Sequence, residues 1–524
     1  MKKIFTLLSI SLLVLACGSS KQNSTTNTTT TAPKPAVDAK TYATTITSAE
    51  LKEALYIYAS DEFEGRETGQ VGQKKAAKYL KNYYVESGIP SAKADGDYFQ
   101  NVPLEISAPP KVNFNLNHKN FTAIDDFVSI VSTKDGGINA EEIVYAGFGI
   151  EDEAYSSYNG MSIKGKVILI KSGEPKNEDG TFVISGTEES SKWSKMREQF
   201  KAKRNVAINK GAKAVLFYYP ETYTMIASRF GSPKGRMSLK DSDVESMYFF
   251  LINTSVAETI LESIETTDEN QTIKMPIQFD YLNASDAFNS ENVAAYIKGS
   301  EKPDEIIVIS AHLDHEGIKN GEIYNGADDD GSGSVALLEM AEAFKMAAND
   351  GHGPKRSVLF LHVTGEEKGL LGSQYYTDYD PIFPLKNTVA NLNIDMIGRT
   401  DPKHDELNER NYLYLIGSDK LSTELHTISE EVNKKYTKIN FDYTYNDDND
   451  PNQFYYRSDH YNFAKNNIPV IFYFSGTHVD YHQPGDTADK IEYDLLETRT
   501  RLVFYTAWEL ANRNDRIIVD KITD

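Results

Sequence analysis

The chain has a single cysteine, Cys17, in 524 residues. No disulfide can form within it, and thiolates cannot build a metal site. Any metal centre must therefore use nitrogen and oxygen donors. Long apolar runs are also scarce. The one near the start, Ile4 to Ala16, is too short to span a bilayer. No second run of spanning length follows, so the rest of the chain is expected to be soluble. Positive charge is in deficit: 55 Lys and Arg stand against 77 Asp and Glu, a net charge of −22. That balance argues against nucleic acid or an acidic lipid surface as a partner. What remains is ordinary for a globular chain, with 40% hydrophobic and 25% charged residues. The length suits two or three domains.

Lys2 and Lys3 precede the apolar run, which closes on LLVLAC. This order fits a secretory signal. Cys17, after a small residue at the end of the run, resembles the lipidation site of a bacterial lipobox. The expectation is a signal peptide over 1–17, with Cys17 becoming the lipid-bearing first residue of the mature chain. The protein would then sit in the bacterial cell envelope, facing the periplasm or at the cell surface. An ordinary signal peptide with an incidental cysteine is the alternative. Residues 18–47, rich in Ser, Thr, Asn and Pro, read as a flexible tether.

From Ser48 onward the patterning turns amphipathic. Leu51, Leu55 and Tyr58 share one helical face, and Ala76, Ala77, Leu80 and Tyr84 share another. Between them, EFEGRETG reads as a surface turn in which Glu64 and Arg66 form an ion pair of little weight. Residues 48–126 open the main domain. From 127 to 279, short strands (EEIVYAGFGI, KVILIKSG, AKAVLFYY, YFFLI) alternate with polar loops and one basic helical stretch. This segment reads as a separate β-rich insertion, with membership of one large sheet as the alternative. Residues 280–524 alternate strand and helix. The expected fold is α/β: a mostly parallel mixed sheet with helices on both faces.

The most informative stretch is 306–339, IIVISAHLDHEGIKNGEIYNGADDDGSGSVALLE. A β-branched run, Ile306 to Ser310, reads as a buried strand. His312 and Asp314 follow it two apart, on the same side if the backbone stays extended. Asp328, Asp329 and Asp330 then precede a helix that Ser332 or Ser334 can cap. Like charges packed so closely repel, so an ordered Asp triplet beside a histidine suggests a cation. Glu366 and Glu367 follow a second strand, Asp395 a third, and His482 a fourth after a short loop. Ligands bind at the C-terminal edge of strands in open α/β sheets. Four segments thus bring carboxylates and imidazoles to one edge, which points to a metal site. Asp328, Asp330, Ser332 and Glu339 also match a calcium-loop spacing. A helix is needed before such a loop, and here a strand and two glycines precede it.

HLDH, GADDDGSG, TGEEKGLLGS, NIDMIG and YHQPGDTADKI together resemble, in order and spacing, metallopeptidase family twenty-eight. These are the co-catalytic dizinc aminopeptidases, of the aminopeptidase Y and bacterial leucyl aminopeptidase type. The EGRETG turn and its helix are similar to the family's N-terminal signature. The 127–279 insertion is similar to a protease-associated domain. The resemblance implies a zinc-dependent exopeptidase that releases N-terminal residues from peptides. It implies two Zn²⁺ ions, or other divalent metals, with Asp329 bridging them. His312 and Asp395 would complete one site, and Glu367 and His482 the other. Glu366 would be the general base, and Asp314 would accept the second ring N–H of His312. The chemistry is consistent: two metals roughly 3.5–4 Å apart need a shared ligand, and zinc accepts N and O donors. Two alternatives are a single-zinc enzyme like the glutaminyl cyclases and a non-catalytic binding lipoprotein.

Overall fold

The structure is a computed structural model; it describes residues 38–231, 235–240, 244–245 and 247–521. Cys17, the signal segment and residues 18–37 lie outside the described residues; the described end of the expected 18–47 tether is not free chain, since Lys40–Ala43 is helical and Tyr42, Ala43 and Ile46 are buried.

The sheet that carries the candidate residues is built from short apolar strands. Ile306, Ile307, Val308 and Ile309 in strand Lys302–His312 are buried, as are Val358 to Leu361 in strand Arg356–Val363. A strand apolar on both faces must be covered on both faces, which favours parallel neighbours with crossover helices. That is what forms. Strand Lys302–His312 pairs in parallel with Arg356–Val363 on one side and Thr388–Ile394 on the other. Val470–Phe474 then adds in parallel to Thr388–Ile394. Tyr412–Ile416 is antiparallel to it and carries Asn440–Asp442 at the edge.

One face of this sheet buries Ile306, Val308, Leu359 and Leu361 against Tyr376 and Phe463. Helices Gly333–Asn349 and Tyr493–Asn512 pack against strand Lys302–His312, with Phe344 seated among Phe504 and Trp508. Helices Ser48–Tyr58 and Val71–Glu86 also pack on Gly333–Asn349, burying Leu51, Leu55, Leu80 and Tyr84 as their spacing predicts. Among the described residues, no helix is long and apolar enough to cross a membrane.

The insertion has apolar cores of its own. Strands Gly136–Tyr145, Val167–Lys171, Ala214–Tyr218 and Tyr248–Ile252 run parallel, in that order. Residues from Val112 to Tyr281 fill both sides of them. Helices Met196–Asn209, Tyr223–Phe230 and Thr254–Ile260 accompany the strands of this β-rich unit. Its sheet is not sealed off. Strand Gln271–Ile297 pairs antiparallel with Gly136–Tyr145 at one end and with Arg356–Val363 at the other. It also pairs along its length with Phe99–Leu116, so a two-stranded ribbon carries hydrogen bonding from one part into the other. The polar run Asn289 to Asn292 conceals this strand from a hydropathy reading, because much of the ribbon is solvated on one face.

Candidate metal centre

Parallel strands end on the same side, so the residues that follow them converge. His312 closes strand Lys302–His312; Glu366 and Glu367 follow Arg356–Val363; Asp395 directly follows Thr388–Ile394; His482 lies in the loop after Val470–Phe474. Asp329 sits between the first of these strands and helix Gly333–Asn349.

The two oxygens of Asp329 face different partners. Oδ1 lies 3.1 Å from His312 Nε2, and Oδ2 lies 3.1 Å from His482 Nε2. His312 Nε2 is also 3.6 Å from Asp395 Oδ1. His482 Nε2 is 3.1 Å from Glu367 Oε2. The five residues thus divide into two groups that share one carboxylate. His312, Asp329 and Asp395 form a cluster able to hold a metal ion.

A sixth residue joins the second group. His315 Nδ1 is 2.9 Å from Glu367 Oε1 and 3.7 Å from Asp329 Oδ2, and these three also form a cluster of ligand atoms. In the sequence the second imidazole of HLDH is legible only as part of a motif, its spacing from His312 being the available signal. Glu316 comes next, with Oε1 3.9 Å from His482 Nδ1.

Donor chemistry and electrostatics both fit a cation. His312 Nε2, both ring nitrogens of His315, Asp329 Oδ2 and Glu367 Oε1 are buried with no hydrogen-bond partner. Their close approaches to one another are not aligned as hydrogen bonds. Buried polar atoms left this way are costly unless something else meets them. Burial favours the neutral form of Asp329, but the imidazoles of His315, His312 and His482 outweigh it and hold the carboxyl well below its ordinary value. Glu367 is likewise resisted by burial and by Asp329, yet His315 and His482 bring it to about 2. Burial would lower His482, but Asp329 and Glu367 lift it to about 10. Imidazole protons thus balance carboxylates that a metal ion would balance on displacing them.

Glu366 behaves differently. Burial, reinforced by Asp395, Glu367 and Asp459, pushes its carboxyl well above the ordinary value despite the pull of His312. A raised carboxyl beside a cluster able to hold a metal ion suits proton transfer.

Asp314 corrects the expectation for its carboxylate. His312 Nδ1 lies 3.0 Å from the backbone carbonyl of Asp314 and 4.0 Å from carboxylate Oδ1. The carboxylate instead accepts the Thr68 hydroxyl at 2.7 Å and the Glu366 backbone N–H at 3.1 Å. It therefore places the start of the Glu366 turn, while its carbonyl orients the His312 ring. The strand stops at His312, so the extended spacing assumed for the pair does not continue.

Each of the other two aspartates in the triplet turns away from the cluster. Asp330 accepts the backbone N–H groups of Gly333, Met396 and His312. It thereby caps the helix that Ser332 or Ser334 was expected to cap; Ser332 donates to Asp328 O and Ser334 to His312 O. Asp328 accepts the Gly398 N–H at 2.6 Å.

Arg66 is a second correction. It is 1% exposed and donates to the carbonyls of Leu313, Asn325 and Gly326, which bracket the two metal-facing loops. Glu64, its supposed partner, pairs with Lys75.

Beside Asp329, Glu366, Asp395 and His482 lies a small cavity walled by Met396, Phe454, Phe472 and Phe474. Arg457 and Tyr481 stand in the same wall. Asp459 and His460 lie behind it: Asp459 accepts the Ser373 hydroxyl at 2.5 Å, and His460 stacks on Phe472.

Residues 292–507 match the model of Peptidase family M28. Over 204 residues the chain is 28% identical to Aminopeptidase YwaD of Bacillus subtilis, covering 38% of this chain and 37% of that protein. It is 26% identical to Leucine aminopeptidase 2 of Trichophyton equinum over 264 residues, 45% of this chain and 48% of the relative. The matched stretch thus spans less than half the length of either relative. Among solved structures, the aminopeptidase from Aneurinibacillus sp. strain AM-1 superposes with a TM-score of 0.50 at 18% identity. That match covers 93% of this chain and 99% of the other, a likeness of fold.

Proposed function

We propose that the chain is a zinc-dependent aminopeptidase. The observation that carries this reading is the division of Asp329: one carboxylate oxygen toward His312 and Asp395, the other toward His482 and Glu367. A shared carboxylate between two N/O donor sets is what a two-zinc centre needs. The likeness to the aminopeptidases named above supports it.

His312 and Asp395 would hold one zinc and Glu367 and His482 the other, with His315 beside the second. Bound there, zinc polarises a carbonyl and lowers the pKa of water. Glu366 removes a proton from the attacking water onto its carboxylate and returns it to the departing amine. Asp314 fixes the Glu366 backbone for that transfer. Met396, Phe454, Phe472 and Phe474 form an apolar wall beside Glu366 and His482, against which the first side chain of the peptide would lie. We read the insertion as a protease-associated domain, and Cys17 as a lipid anchor to the bacterial envelope.

The test joins metal content to turnover. Wild-type protein should bind two zinc ions and release N-terminal residues from peptides. Glu366→Gln should keep both metals while turnover falls by ~10² or more, the scale of general-base loss. Normal turnover in that variant sinks the assignment. Cys17→Ala should move the protein from membrane to soluble fractions; retention in the membrane sinks the anchor.

A further inference from the structure

We propose that the cleft between the insertion and the catalytic sheet binds carboxylate groups of the peptide downstream of the scissile bond, a reading that rests on the peptidase assignment. The cleft is about 720 Å³ and reaches Glu367, Lys368 and Gly369 at one end. Cavities of roughly 300–1,000 Å³ enclose ligands of short-peptide size. Its other walls come from the Ser107–Pro110 bend of the ribbon and from the insertion. The cleft therefore touches the metal centre on the Glu367 side, whereas the small cavity beside Met396, Phe454, Phe472 and Phe474 touches it on the Glu366 and Asp395 side. A peptide whose first side chain lies against Phe454, Phe472 and Phe474 would have this cleft as its way out.

The charge lining the cleft opposes that of the whole chain. Arg204, Arg229, Arg236 and Lys368 face it, and among the described residues that line it Glu367 is the one carboxylate. In a chain with 77 acidic and 55 basic residues, a wall drawn at random would be acidic. Arginine forks match carboxylates in geometry as well as charge. Arg204, Arg229 and Arg236 also border an adjoining apolar cavity of about 490 Å³. Phe200, Met225 and Phe249 line that cavity, and Met225 is 56% exposed. An acidic residue next to an apolar one fits both.

The experiment compares two peptide amides sharing the N-terminal dipeptide Leu-Gly: Leu-Gly-Asp-Phe-Glu amide, with two carboxylates, and the carboxylate-free Leu-Gly-Asn-Phe-Gln amide. Wild-type protein should cleave the acidic peptide with a kcat/KM ~5-fold or more higher, the order expected from two exposed ion pairs. The preference should shrink as salt rises. Arg229→Glu/Arg236→Glu should abolish or reverse it, with folding checked by circular dichroism. No wild-type preference, or the same preference in the double variant, overturns the proposal. If neither peptide is cleaved, the peptidase reading has failed. Binding of the fluorescently labelled acidic peptide to the full chain then decides this inference alone: loss of binding in the double variant upholds it, and equal or absent binding overturns it.

Discussion

The carboxylate of Asp486 accepts the backbone N–H of Asp329 at 3.1 Å. It accepts that of Asp328 as well, at 3.0 Å, and it is fully buried. The residue proposed to bridge two metals is thus held by its main chain from a loop 157 positions away. Asp486→Ala should leave two buried N–H groups unmet, each costing about 1–3 kcal/mol. Zinc affinity should fall ~10–100-fold, as with other groups that orient ligands. Competition with a chromogenic chelator measures it, and Asp486→Asn, keeping one acceptor oxygen, should lose less. Wild-type affinity in Asp486→Ala refutes the positioning role.

The Asp triplet separates by role, and substitution should separate it too. Asp330 accepts three backbone N–H groups, so Asp330→Ala should destabilise the fold by about 3 kcal/mol or more while metal still binds. Asp329→Ala should lose metal with a smaller change in stability of the metal-free protein. Urea unfolding and metal analysis on both variants check this. A calcium loop built on Asp328 and Asp330 requires the reverse: binding lost in Asp330→Ala and kept in Asp329→Ala.

Arg66 ties a distant turn to the metal-facing loops through carbonyls of Leu313, Asn325 and Gly326. Its guanidinium also lies 4.7 Å from the centre of the Tyr58 ring. Arg66→Ala removes donors from several buried acceptors at about 1–3 kcal/mol each. The expected loss is roughly 3 kcal/mol or more in urea unfolding, with weaker zinc binding. Lysine, lacking the planar fork, should restore only part of it. Stability within about 0.5 kcal/mol of wild type, the usual effect of a surface substitution, would return Arg66 to the surface-turn reading.

What the sequence made legible follows from where physics is local. Ile306 to Ser310 and Val470 to Phe474 are short enough and apolar enough to read as buried strands, and parallel strands bring their following residues to one edge. His312, Glu366, Glu367, Asp395 and His482 were found in that way. Partners that depend on long-range packing were not. Arg66 has an acidic neighbour at Glu64, whereas the acceptors that bury it lie about 250 positions on. Asp314 departs from extended geometry because its strand has already ended. His315 differs from a surface histidine only once Glu367 is folded against it.

His362 gives the fold a dependence on pH that can be isolated. Its ring is buried and its Nε2 lies 2.7 Å from the Tyr84 hydroxyl. Burial lowers its pKa to about 3. In the unfolded chain it titrates near ~6.5. Between these values the unfolded state binds the extra proton, so stability is complete above about pH 6.5 and declines as pH falls toward 3. At pH 5 the loss from this group is about 2 kcal/mol, at ~1.4 kcal/mol per unit. His362→Gln should cost stability at pH 7 by breaking the contact with Tyr84. Its further loss from pH 7 to pH 5 should nevertheless be about 2 kcal/mol smaller than in the wild type, read from urea midpoints at the two pH values. Equal losses in the two proteins would mean that His362 titrates as freely in the folded chain as in the unfolded one, against the burial observed.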